Sequence, residues 1–93
     1  MTYRDKNYSK ALGQNLRNKR EQANYTQSQV AKKFGHSSGQ FISNIELGKC
    51  AIPLHVLVKI AHLYSIPEKE FLNFILEQER MFWKSSLKRS KAM

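Results

Sequence analysis

The chain has 93 residues, 41% of them hydrophobic and 25% charged, proportions that suit one globular domain and indicate neither global disorder nor a fibrous repeat. With 16 Lys and Arg against 7 Asp and Glu, the formal net charge is +9, which favours a polyanionic partner, nucleic acid or an anionic membrane surface. The longest uncharged apolar-rich stretch, 50–58, is far below the roughly 20 residues a bilayer span needs, and Met1 to Lys10 lacks the apolar core of a secretory signal. A cytoplasmic protein is expected.

Four Gly, two Pro and little period-two alternation argue for helices rather than hairpins. Residues 1–8 read as a flexible N-terminal arm. Leu12, Leu16 and Ala23, with Tyr8 and Ala11, mark one face of a first helix over about Ser9 to Asn24, with Ser9 as its N-cap. Thr26 and Gln29 have the spacing of a capping box, and Val30, Ala31 and Phe34 give a short second helix that ends at Gly35. Ser37 and Ser38 suit the cap of a third helix that points Phe41, Ile42 and Ile45 inward and closes at Gly48.

Pro53 fits the first turn of a fourth helix whose apolar repeat is Leu54, Leu57, Val58, Ile60, Ala61 and Tyr64, stopping near Ser65. Pro67, Glu68 and Glu70 open a fifth, where the helix dipole favours acids. Its apolar residues, Phe71, Leu72, Phe74, Ile75, Leu76, Met81, Phe82 and Trp83, exceed the stripe that one helix buries on a small body. Residues 84–93 read as a basic tail prone to fraying, which leaves 9–83 as the folded domain.

Two short helices joined by a Gly-containing turn, residues 26–48, form the supersecondary unit that enters a DNA groove. The run Thr26-Gln27-Ser28-Gln29-Val30-Ala31, then Gly35, then Ile42-Ser43-Asn44-Ile45-Glu46-Leu47-Gly48-Lys49, then Pro53, Leu57, Ile60 and Ala61, resembles the lambdoid repressor and Cro type of helix-turn-helix, the Xre family. The resemblance covers residues 11–72 and implies an all-α fold: a compact five-helix repressor-like bundle containing a helix-turn-helix, with an extended C-terminal helix. One departure is a lengthened turn, since Ile42 lies seven residues after Gly35 where the family usually has six.

With Ile42 and Ile45 inward, the outward arc of the third helix is Gly39, Gln40, Ser43, Asn44 and Leu47. Amide side chains match adenine N6 and N7 in the major groove, so Gln40 and Asn44, flanked by Ser43 and Gly39, are the expected base-contacting residues; the plain alternative is a solvated polar face. As the resemblance implies, Gln27 presents its amide to a phosphate; Lys49, Arg17, Lys19 and Ser38 are further phosphate candidates. The resemblance also implies that Arg20 pairs with Glu46 as a structural ion pair across helices one and three.

Half-sites about one turn apart, roughly 34 to 36 Å, call for a homodimer on double-stranded DNA, with Phe74, Met81, Phe82 and Trp83 as expected interface. The rival is a monomer in which Trp83 folds back onto helix one. A protein–protein adaptor on the same scaffold is the alternative function, against which the polar arc of helix three speaks. A membrane-surface role for 71–91 is opposed by Glu77 and Glu79. His55 and His62 share a face but lack a third ligand, and Cys50 stands alone, so no metal, cofactor, small-molecule ligand or catalytic role is expected.

Overall fold

The computed structural model describes the backbone of residues 6–91 and the side chains of residues 9–88. Five helices follow one another: α1 (Lys6–Gln22), α2 (Gln27–Lys33), α3 (Gln40–Glu46), α4 (Leu54–Leu63) and α5 (Glu68–Lys91). Among the described residues there is no strand, and no helix is long and apolar enough to cross a membrane.

Leu12, Leu16 and Arg20 lie on one line of α1 at i, i+4 and i+8, and all three are buried. Below them Val30 and Ala31 of α2, Ile42 and Ile45 of α3, and Val56, Ile60 and Tyr64 around α4 close the core. Leu16, Val30, Ile42, Ile45 and Ile60 are almost wholly enclosed, each worth about 1.5–3 kcal/mol of transfer free energy. Phe71, Phe74 and Ile75 pack α5 against this core through its first two turns.

The helix ends follow from local chemistry. Thr26 caps α2: its Oγ1 accepts from the Gln29 N–H at 3.1 Å while Gln29 Oε1 accepts from the Thr26 N–H at 2.8 Å, a complete capping box. At the far end of α2 the N–H groups of Gly35 and His36 donate to the carbonyls of Lys32 and Ala31, the Schellman pattern, with Gly35 at φ +80°. α3 ends the same way, Gly48 and Lys49 donating to Ile45 and Asn44. α1 and α4 repeat the motif with Asn24 at φ 63° and Ser65 at φ 55° in the left-handed position.

Several boundaries depart from the sequence reading. Ser9 lies inside α1 rather than capping it, because the helix already runs at Lys6, and residues 6–8, assigned to an arm, are helical. Gly39, not the Ser37-Ser38 pair, is the N-cap of α3; Ser38 Oγ only accepts from the Gln40 N–H at 3.4 Å. Pro53 precedes α4 as its N-cap with ψ 144°, an extended value outside the first turn. α4 turns Val56 inward and leaves Leu54 76% exposed, so its buried line starts two residues later than the apolar repeat suggested. α5 continues unbroken to Lys91, across the boundary at 84 where a tail was expected.

Candidate nucleic-acid interface

α3 is seated by α1 through backbone. A Cβ on Gly13 would stand 2.5 Å from the carbonyl oxygens of both Ile45 and Glu46, so only glycine lets the two helices approach this closely. Gly48 also lies close to Lys10, where an added Cβ would meet the backbone nitrogen at 2.8 Å. The N-terminal end of α3 rests on α2, since a Cβ on Gly39 would stand 3.0 Å from that of Gln27.

Around this junction sits a buried polar hub. Glu46, 6% exposed, accepts from Arg20 Nε at 2.7 Å and Nη2 at 3.2 Å, and its Oε1 also accepts from Gln27 Nε2 at 3.0 Å. Arg20, 8% exposed, donates its third bond from Nη1 to the Tyr25 carbonyl at 2.7 Å. One carboxylate thus ties α1, α2 and α3 together with charge-assisted bonds. The hydrogen bond to Glu46 is the largest cause that raises the Arg20 pKa, with burial opposing it. Tyr64 lies beside the hub, and burial foremost, then the Glu46 charge, raises its phenol well above the ordinary value.

The hub floors a cleft lined by Arg17, Gln27, Ser28, Ser43 and Leu47. On the adjoining surface of α3, Gln40 Nε2 donates to Asn44 Oδ1 at 2.9 Å, which sets the two amides side by side one turn apart. Gln40 and Leu47 are exposed and Ser43 and Asn44 half-buried. Lys49 is exposed just beyond α3.

The structure therefore brings together Arg20, Glu46, Gln27, Ser43, Gln40 and Asn44, and sets Arg17 at the rim in an exposed ion pair with Glu21 at 3.4 Å. It separates others. Lys19 reaches the opposite side of α1 and forms an ion pair with Glu70 of α5, so it does not share a surface with α3. Gly39 faces α2 instead of the outward arc, because its lack of a side chain is what lets the Gln27 end of α2 approach. Gln27 directs one N–H at Glu46 rather than wholly outward. His36, in the lengthened turn, is exposed and stacks on the Phe41 ring at 4.3 Å with 10° between planes.

On α5, Phe74 packs against the core beside Phe71 and Ile75, whereas Met81 and Trp83 are exposed and Phe82 stands edge-on to Trp83 at 5.6 Å. Phe74 is removed from the expected interface: at 100° per residue it lies only about 60° from Phe71, within the stripe that the core accepts. Sequence reasoning missed Gly13, although a glycine between Leu12 and Leu16 costs a helix about 1 kcal/mol and so signals a close approach.

The sequence pattern of one family, described as a helix-turn-helix domain, matches residues 13–77, most of the chain. No curated protein and no solved structure matches it.

Proposed function

The chain belongs to the helix-turn-helix domain family, and from that premise we propose that it is a sequence-specific, double-stranded-DNA-binding transcriptional regulator of the Xre type, two copies engaging neighbouring half-sites. The observation that carries the reading is the pair of amides on α3, Gln40 and Asn44, joined at 2.9 Å beside a cleft that holds Gln27 and Arg17. With Gln40 Nε2 spent on Asn44, Gln40 Oε1 and Asn44 Nδ2 remain as an acceptor and a donor a short distance apart, the complement of an adenine edge. Phosphate contacts fall to Lys49, Arg17, Ser38 and the remaining amide atoms of Gln27, and the net charge of +9 supplies the nonspecific affinity. Lys19 has no part in this surface. The protein works without catalysis or cofactor in this reading, inside the cell where DNA is found.

Selection of bound duplexes from a random pool tests the proposal. The expected result is a short, two-fold related motif bound far more tightly than scrambled duplex. A pool that shows no enrichment, with binding that depends on salt alone, would overturn sequence recognition.

A further inference from the structure

α5 is 24 residues, about 36 Å, and among its described residues Phe71, Phe74 and Ile75 are the hydrophobic ones packed against the core. On the face turned away from the core, Leu72 is 49% exposed, Leu76 63% and Leu87 62%, with Trp83 on the same line. At 100° per residue Leu72, Leu76, Glu79, Trp83 and Leu87 fall within a sector of about 80°, a seam about 22 Å long. The seam is continuous with α4. Leu72 lines an apolar groove with Val58, Ala61, His62, Ile66 and Phe71, and Leu54, one turn before Val58, extends the apolar surface beyond it.

The seam is its own complement. A two-fold axis midway between Glu79 and Arg80 sets Leu72 opposite Leu87, Leu76 opposite Trp83, and Glu79 opposite Arg80, each pairing occurring twice. The charges agree with that direction: α5 begins with Glu68 and Glu70 on either side of Lys69, Glu70 being held by Lys19, and its later turns carry Lys84 and Lys88, while Arg80 already donates to Glu77 within the helix. Antiparallel copies set acidic beginning against basic end, while parallel copies set like on like.

We propose that two copies of the chain pair antiparallel along α5, with the Leu87 end of each seated in the α4–α5 groove of the other. This rests on the two-copy reading above and gives it a surface and a register. The partner is therefore a second copy of this chain, and Leu72, Leu76, Leu87, Leu54 and Val58 form the buried surface, to which Trp83 contributes; Met81, about 180° round the helix from Leu72, lies outside it.

Sedimentation without DNA at tens of micromolar tests the pairing, and engineered cysteines test the register. The parent sediments at twice the 10.9 kDa chain mass, and Leu76→Glu, at an exposed position, sediments as one chain with unchanged helical circular dichroism. In a Cys50→Ser background, Glu79→Cys cross-links to itself on oxidation, whereas Leu72→Cys does not, because its copies stand about 22 Å apart along the seam. A monomeric parent overturns the inference; the two-copy reading falls only if the parent also binds its selected duplex as a single chain. A dimer that survives Leu76→Glu, or that cross-links equally through Leu72→Cys, overturns this inference and leaves the two-copy reading standing.

Discussion

Arg20 and Glu46, 26 residues apart in the chain, meet with both carboxylate oxygens engaged by one guanidinium and less than a tenth of either residue open to solvent. Their shortest bond is 2.7 Å. Desolvating two charges cancels much of their attraction, so the pair orients α3 more than it stabilises the fold, and breaking it is costly.

Arg20→Ala is therefore expected to lower stability by roughly 3–5 kcal/mol, since Glu46 keeps only the Gln27 amide as a buried partner. The double variant Arg20→Met/Glu46→Leu should recover most of that loss while weakening DNA binding, because packing returns and orientation does not. Urea denaturation of the three proteins checks this; an Arg20→Ala midpoint equal to the parent's would show that the pair does not bear on stability.

Gly13→Ala is expected to destabilise by about 1–3 kcal/mol or more, since the added methyl would stand 2.5 Å from two carbonyl oxygens of α3. In an exposed helix the same change would be favourable. The sign of the change in melting temperature decides: a gain would mean that α1 and α3 are not in contact through this residue.

Ser65→Gly should raise stability by up to about 1 kcal/mol, because Ser65 holds the left-handed position after α4 at φ 55°, where a Cβ is strained. Asn24→Gly, at φ 63°, should gain less, as asparagine tolerates that region. Parallel thermal melts compare them, and equal or negative shifts would refute the strain argument.

Tyr64 gives a pH dependence with a definite sign. Its phenol is raised above the ordinary value of 10.0, so the fold favours the neutral form and the stability it contributes is fully present below pH 10 and lost as pH rises beyond it. Melting temperatures between pH 8 and 12 should fall less steeply above pH 10 in Tyr64→Phe than in the parent. Superimposable profiles would place the phenol in solvent.

Gln40→Ala and Asn44→Ala should each reduce affinity for the selected duplex by about 1–3 kcal/mol and spare scrambled duplex. Because the two amides are bonded, the double variant should lose less than the two single losses added together. Lys49→Ala should weaken both duplexes and lower the salt slope by about one unit. Equal losses on both duplexes for all three variants would remove base reading from α3.

Features governed by neighbours in sequence were legible before the structure. The Thr26 and Gln29 capping box, the glycines that end α2 and α3, and the inward turn of Ile42 and Ile45 depend on a few consecutive residues. The meeting of Arg20 with Glu46 was legible only through resemblance, for no local rule joins positions 26 apart. Lys19 and Phe74 were misread because their surroundings are set by where α5 docks, a tertiary fact: one face of α1 receives Glu70, and the core accepts a stripe wide enough for Phe74. Leu54 and Val56 were exchanged because Pro53 lies outside α4 and shifts which residues face inward.

Lys59 of α4 donates from Nζ to the last helical carbonyl of α2, that of Lys33, at 3.0 Å, and lies 4.6 Å above the centre of the Phe34 ring. The end of α2 is thus latched by a helix that belongs to neither half of the motif, and the chain entering α2 is held by Arg20 of α1 through the Tyr25 carbonyl. Residues 26–48, grafted alone onto another scaffold, would carry the letters of the recognition surface without the clamps at either edge that hold it open. What evolution or an engineer can move as a unit is the whole span from α1 through α4, and under the proposed function changes of specificity belong on the face of α3 rather than in an exchange of the hairpin.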